Sequence, residues 1–194
     1  TRNFVEAQKL FAKAVKIKPD YSIAYSNLGA VQKELGKFQE SIKASQQAIK
    51  IDPNNIAAHS NLGASLRETG KFNDSVDACR KALKVQANNF GALHNLALSL
   101  QELNEIREAI DCYKILIKIQ PNPSNAYQNL GKLSVMIGEK KEAINFYKLA
   151  IKHEPENLFY YYNLSDLDQS ILDGNLKTKI NNIIEKDRKK NQNI

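Results

Sequence analysis

Three residues recur along this chain at a constant interval. Asn27-Leu28-Gly29, Asn61-Leu62-Gly63, Asn95-Leu96-Ala97, Asn129-Leu130-Gly131 and Asn163-Leu164-Ser165 are each 34 residues from the next. A period of that length marks copies of one supersecondary unit, each too small to bury its own apolar face, so neighbours must stack to complete a core. The 194 residues are 42% hydrophobic and 25% charged, which is enough apolar material for a core, and the repeat draws that core out into a seam.

With Ser22 as position 1, full units span 22–55, 56–89, 90–123 and 124–157. Apolar or small residues recur at positions 4, 7, 8 and 11 and again at 17, 20, 24, 27 and 30, the spacing of two amphipathic helices. Position 15, between them, is Gly36, Gly70, Asn104 and Gly138, the two residue types that readily take the left-handed conformation closing a helix. Position 32 is Pro19, Pro53, Ala87, Pro121 and Pro155, and proline ends the second helix because it lacks the backbone donor and clashes with the preceding turn. Asn54-Asn55 and Asn88-Asn89 supply caps for the next helix. Small residues at positions 8 and 20 let the paired helices approach closely.

The ends depart from this pattern. Residues 1–21 fit the second half of a unit, with Phe4, Ala7, Phe11, Ala14 and Pro19 in register, so the chain reads as part of a longer array and its first helix has a free apolar face. Self-association through that helix is one expectation. Residues 158–172 fit a fifth first-type helix of a degenerate unit. Within 173–194, Leu176, Ile180, Ile183 and Ile184 predict a capping or bridging helix over about 175–188, with a solvated tail from Lys189.

This code resembles the tetratricopeptide repeat. Tyr25, Leu28, Gly29, Ala48 and Pro53 match it in the first full unit, and Tyr127, Leu130, Gly131, Ala143, Tyr147, Ala150 and Pro155 match it in the fourth. Ser45 and Cys79 replace its usual aromatic, Ala87 its proline, and Leu116 a small residue, so the third unit, which also has Ala97 for glycine, should pack differently from its neighbours. The resemblance implies an all-α fold, a right-handed α-α superhelix of helical hairpins whose first helices line a concave groove.

No catalytic chemistry is legible. His59, His94 and His153 lack metal-site spacing, there is no phosphate-cradling glycine loop, and no nucleophile elbow is present. No enzyme activity, cofactor or metal is therefore expected. Asn73-Asp74-Ser75 and Asn163-Leu164-Ser165 match the glycosylation triplet by chance. The net charge of +7 is spread as +3 over residues 1–21, then +1, +2, −1 and +1 for successive units and +1 for the remainder, which gives no basic stripe and no nucleic-acid partner. No apolar run approaches the ~20 residues of a membrane span, and no membrane partner is expected. Cys79 and Cys112 sit within helical patterns and read as free buried thiols of a reducing, cytoplasmic compartment.

Function is therefore sought on the groove. Position 6 is Asn27, Asn61, Asn95, Asn129 and Asn163, a column of carboxamides that each offer donor and acceptor to a peptide backbone. The column resembles the asparagine ladder of O-linked N-acetylglucosamine transferases, which holds extended peptides. Position 5 is Ser26, Ser60, His94, Gln128 and Tyr162, and Lys33, Arg67 and Lys132 add charge beside Glu34, Glu68, Glu102 and Asp166. The carboxylate clamp of chaperone-tail binders is missing, since position 6 is never Arg. The expected function is a protein-interaction scaffold that binds an extended peptide or partner segment. The alternative is a substrate-recruiting arm of a larger glycosyl- or sulfotransferase, because the degenerate fifth unit resembles the boundary where such arrays join transferase domains.

Overall fold

The computed structural model describes residues 2–167 and 174–191, and all regular structure among them is α-helical. Eleven helices follow in order: α1 (Arg2–Ile17), α2 (Ser22–Glu34), α3 (Phe38–Ile51), α4 (Ile56–Glu68), α5 (Phe72–Val85), α6 (Phe90–Glu102), α7 (Ile106–Ile119), α8 (Ser124–Met136), α9 (Lys140–His153), α10 (Leu158–Leu167) and α11 (Gly174–Asn191). They fall into two compact units, Thr1–Ile119 and Gln120–Ile194.

In the first unit α2 pairs with α3, α4 with α5 and α6 with α7, and each hairpin stacks on the next. The first helices α2, α4 and α6 also pack directly on one another. Every hairpin turn uses the same device. Gly36 (φ 72°), Gly70 (φ 75°) and Asn104 (φ 60°) take the left-handed conformation. The following amide then reaches back to the helix: Lys37 N–H donates to Gln32 O at 2.8 Å and Glu105 N–H to Leu100 O at 2.8 Å. Only the second asparagine of each pair caps a helix. Asn55 Oδ1 accepts from Ala58 N–H and Asn89 Oδ1 from Ala92 N–H, each at 2.9 Å.

The hairpins close through a buried hydroxyl seam. Ser75 Oγ lies 2.7 Å from Gly63 O and 2.8 Å from Ser99 Oγ. A carbonyl can only accept, so Ser75 gives its single proton to Gly63 and Ser99 donates to Ser75. Ser41 repeats the arrangement with Gly29 O at 2.7 Å and Ser65 Oγ at 2.8 Å. Position 20 of one repeat is thus matched to position 10 of the next. Where the first is alanine, the second is apolar: Ala7 precedes Val31, and Ala143 precedes Leu167, which packs on the Ala143–Tyr147–Leu164 cluster. Close approach also fixes position 8, since a methyl group on Gly63 would collide with Cys79 Sγ. The third hairpin carries Ala97, Tyr113 and Leu116 at the equivalent places, all fully buried, with Gln101 Nε2 donating to Tyr113 Oη at 2.8 Å. Cys79 and Cys112 are free and buried, and burial pushes their thiols up to about 12 and about 11.

In the second unit α8 pairs with α9, which packs on α10. Its joint is polar. The Glu154 carboxylate accepts from Ser124 Oγ, from Tyr160 Oη at 2.9 Å, from Asn122 Nδ2 at 3.2 Å and from Asn157 Nδ2 at 3.4 Å, tying the start of α8 to α10. Those donors, Ser124 first, hold its pKa below the ordinary carboxylate value. At the C-terminal end α11 continues through Lys189 to Asn191, where a solvated tail was expected. Lys and Arg are good helix formers, and nothing in 184–191 breaks a helix. Ile183 is buried and Ile180 and Ile184 are half-buried, while the expected stretch 168–172 lies outside the described residues.

Two outcomes follow for stability. Ser75→Ala leaves the buried Ser99 hydroxyl without its acceptor and should cost about 1–3 kcal/mol in urea unfolding, whereas Ser75→Ala with Ser99→Ala should cost less than the single change. Glu154→Gln should destabilise at neutral pH. Because the folded pKa is depressed, this contribution is full above an unfolded value of roughly 4.3 and disappears as pH falls through the folded pKa. Wild type and variant should therefore converge in unfolding experiments at acid pH.

Candidate functional site

The resemblance to tetratricopeptide arrays assigns positions 2, 5, 6, 9, 12 and 13 of the first helices to an inner face, and in the first unit these positions lie on α2, α4 and α6. Their sequence explains why that face is hollow. Ala30 and Ala64 occupy position 9, Gly91 position 2 and Ser60 position 5, so little side-chain volume stands between successive helices. A hollow of about 340 Å³ lies here, lined by Lys33, Glu34, Phe38, Ala64, Arg67, Glu68 and Asn95. The packing is close at its edge, where a methyl group on Gly91 would come within 2.8 Å of Ser60 Oγ.

Asn27, Asn61 and Asn95 are half-buried along this face. Asn61 Nδ2 donates to Ser26 O of the preceding repeat at 3.1 Å, and Asn95 Nδ2 donates to Gly91 O one turn earlier at 2.8 Å. Only an N–H can face a carbonyl, so these contacts orient both amides and leave each Oδ1, with the second N–H, free of partners among the described residues. Asn27 has no hydrogen-bond partner among them.

Ser26 does not line the groove as a free hydroxyl. It is 2% exposed, its Oγ donates to Ile23 O at 3.0 Å, and its carbonyl holds Asn61. Its short side chain folds back on its own helix, which position number alone does not reveal. Ser60 is half-buried beside Gly91. His94 is half-buried and stacks on Phe90 with ring centroids 5.8 Å apart. Burial and then the Arg67 charge lower its pKa. The cations are locally neutralised: Lys33 pairs with Glu34 at 2.9 Å and Arg67 with Glu68. Phe38, which is on α3 and lines the hollow, was not singled out from sequence because position 17 belongs to the apolar stripe of the second helix and reads as a core residue.

In the second unit, Gln128 and Asn129 of α8 are half-buried and Lys132 is exposed. On α10, Asn163 Nδ2 donates to Phe159 O at 2.6 Å, while Tyr162 and Phe159 are exposed at 68% and 52%. Of the remaining histidines, His59 is buried with Nε2 donating to Pro53 O at 2.9 Å, and the exposed His153 stacks on Tyr127. No group of acids, histidines and cysteines suited to a metal occurs among the described residues.

Repeat-family models match in four consecutive stretches: a TPR repeat at 32–66 and tetratricopeptide repeats at 56–92, 92–123 and 124–157. The chain belongs to the tetratricopeptide repeat family. No curated protein matches it in sequence. Among solved structures it is similar to MamA, at 24% identity and a TM-score of 0.73 over 85% of this chain and 97% of that one. It is also similar to YrrB, described as a TPR protein with an unusual peptide-binding site, at 17% identity and TM-score 0.73 over 91% and 89%. PilF of Pseudomonas aeruginosa matches at 19% identity and TM-score 0.71 over 84% and 73%. At these identities the likeness establishes the shared tetratricopeptide fold.

The electrostatics of the inner face can be read directly. The His94 resonance should titrate below the ordinary histidine value near 6.5 in NMR. Arg67→Gln should raise that midpoint without restoring it fully, since burial is the larger cause.

Proposed function

We propose that this tetratricopeptide array is a protein-interaction scaffold whose inner face holds an extended peptide segment. The observation that carries this reading is the set of half-buried carboxamides on α2, α4 and α6, with Asn61 and Asn95 oriented by backbone carbonyls and their Oδ1 atoms left free. An extended strand presents alternating N–H and C=O groups, and a preoriented carboxamide meets both without reading side chains. The small residues at positions 2, 5 and 9 leave room for a backbone, and the paired charges Lys33–Glu34 and Arg67–Glu68 favour neither an acidic nor a basic ligand. In the second unit, taken by itself, Asn129 and Asn163 occupy the same register position, with Gln128, Lys132 and Tyr162 as that unit's own candidate contacts. Sequence preference is then set at positions 5, 9 and 12, and the exposed Tyr162 ring is the strongest candidate for an anchor. The peptide-binding site named for YrrB supports the same use of the fold.

The test is to select peptides from a random library on the wild-type protein and measure their affinity for Asn61→Ala and Asn95→Ala, with helicity as the folding control. Each substitution should weaken binding about five- to tenfold, the equivalent of one or two backbone hydrogen bonds. Unchanged affinity in both variants would reject the carboxamide column as the working surface.

A further inference from the structure

At one edge, the second helices of the first unit all carry the same residue one place before their ends. Lys16 on α1, Lys50 on α3, Lys84 on α5 and Lys118 on α7 occupy position 29, in the last helical turn, and all four are exposed. None of them has an ion-pair or hydrogen-bond partner among the described residues. Lys13, Lys18 and Lys81 lie near the same helix ends, against Asp20, Asp52 and, one turn before Lys81, Asp77. The first helices α2, α4 and α6 begin at this edge and carry no acid in their first turns, so their positive dipole ends add to the lysine charge. The acids are at the other edge, where α3, α5 and α7 begin with Glu40, Asp74 and Glu108.

Exposed apolar side chains collect at the lysine edge as well. Ile17 is 73% exposed and Ile23 57%, and Tyr21, Val85 and Phe90 are also exposed. Apart from the first turns of α1, the opposite edge keeps its large apolar residues, Leu35, Phe38, Phe72 and Leu103, half-buried. Helix-dipole complementarity accounts for a lysine in each last turn, but not for isoleucines and aromatics exposed beside them. A duplex would use the lysines and leave the aliphatic groups in water. The surface of an anionic bilayer uses both, with headgroups meeting ammonium groups and the apolar side chains entering the headgroup boundary.

We infer that the edge formed by the C-terminal turns of α1, α3, α5 and α7 rests on an anionic lipid surface. No helix among the described residues is long and apolar enough to cross a membrane, and this contact needs none: the array lies against the bilayer and its inner face stays free. The inference is independent of the peptide reading.

The test is co-sedimentation of the full chain with vesicles of phosphatidylcholine alone and of phosphatidylcholine mixed with phosphatidylserine. Binding is expected only to the mixed vesicles and should fall as salt rises. Lys16→Gln, Lys50→Gln and Lys84→Gln should each weaken it about fivefold. Ile17→Ser with Ile23→Ser, both at well-exposed positions, should weaken it further at fixed salt, and Asn61→Ala should leave it unchanged. Absence of binding to either vesicle, equal binding to both, or undiminished binding by the triple lysine variant would overturn the inference. So would an acidic protein or duplex DNA holding the edge when vesicles do not.

Discussion

The structure depends on how closely the two helices of each repeat approach. That approach needs glycine or alanine at position 8 of the full repeats and a small residue at position 20, and the chain meets it in two chemistries. Where position 20 is serine, its hydroxyl bonds the glycine carbonyl of its own repeat and receives a proton from a serine of the next, so one buried polar group joins three helices. Where it is alanine, the facing position is apolar. An alanine at position 20 facing a serine at position 10 would leave that serine's buried hydroxyl without this partner, a cost comparable to a sizeable fraction of a domain's stability. The two positions are therefore coupled from repeat to repeat, although they are 24 residues apart.

Stacking hairpins in this way sorts the remaining residues by position. The first helices pack on one another, so their short side chains create the hollow at Asn95 and Arg67. The second helices expose their outer faces and end at a common edge. Each register position thereby becomes a column, and a modest preference at one position becomes an extended surface. The asparagines at position 6 and the lysines at position 29 are two such columns, with different environments. The asparagines are half-buried, and Asn61 and Asn95 are oriented by carbonyls; the lysines are exposed and without an ion-pair partner among the described residues. The first suits a ligand that must be gripped in register, the second an extended anionic surface that needs no register.

How much of this was legible in the sequence varies by element. The glycines and Asn104 of the turns and the helical spacing were plain, because each reflects a local demand of backbone conformation or periodicity. The asparagine column was visible as a repeat. Its orientation was not, since it depends on where Ser26 O and Gly91 O come to lie. Ser26 counted as a groove residue by number but folds back onto Ile23. The lysine edge escaped a count of charge by blocks, which averages the acidic start of each second helix with its basic end.

By itself the sequence determined the unit, its two helices and the turn between them, since 34-residue periodicity, left-handed turn residues and helix-ending prolines act within a few residues of themselves. Tertiary structure decided the partners: which hydroxyl meets which carbonyl, which amide atoms remain free, and which charges share an edge. Those outcomes depend on contacts between residues a whole repeat apart, as Asn61 and Ser26 are, and a hydrogen bond is made or lost over less than an ångström.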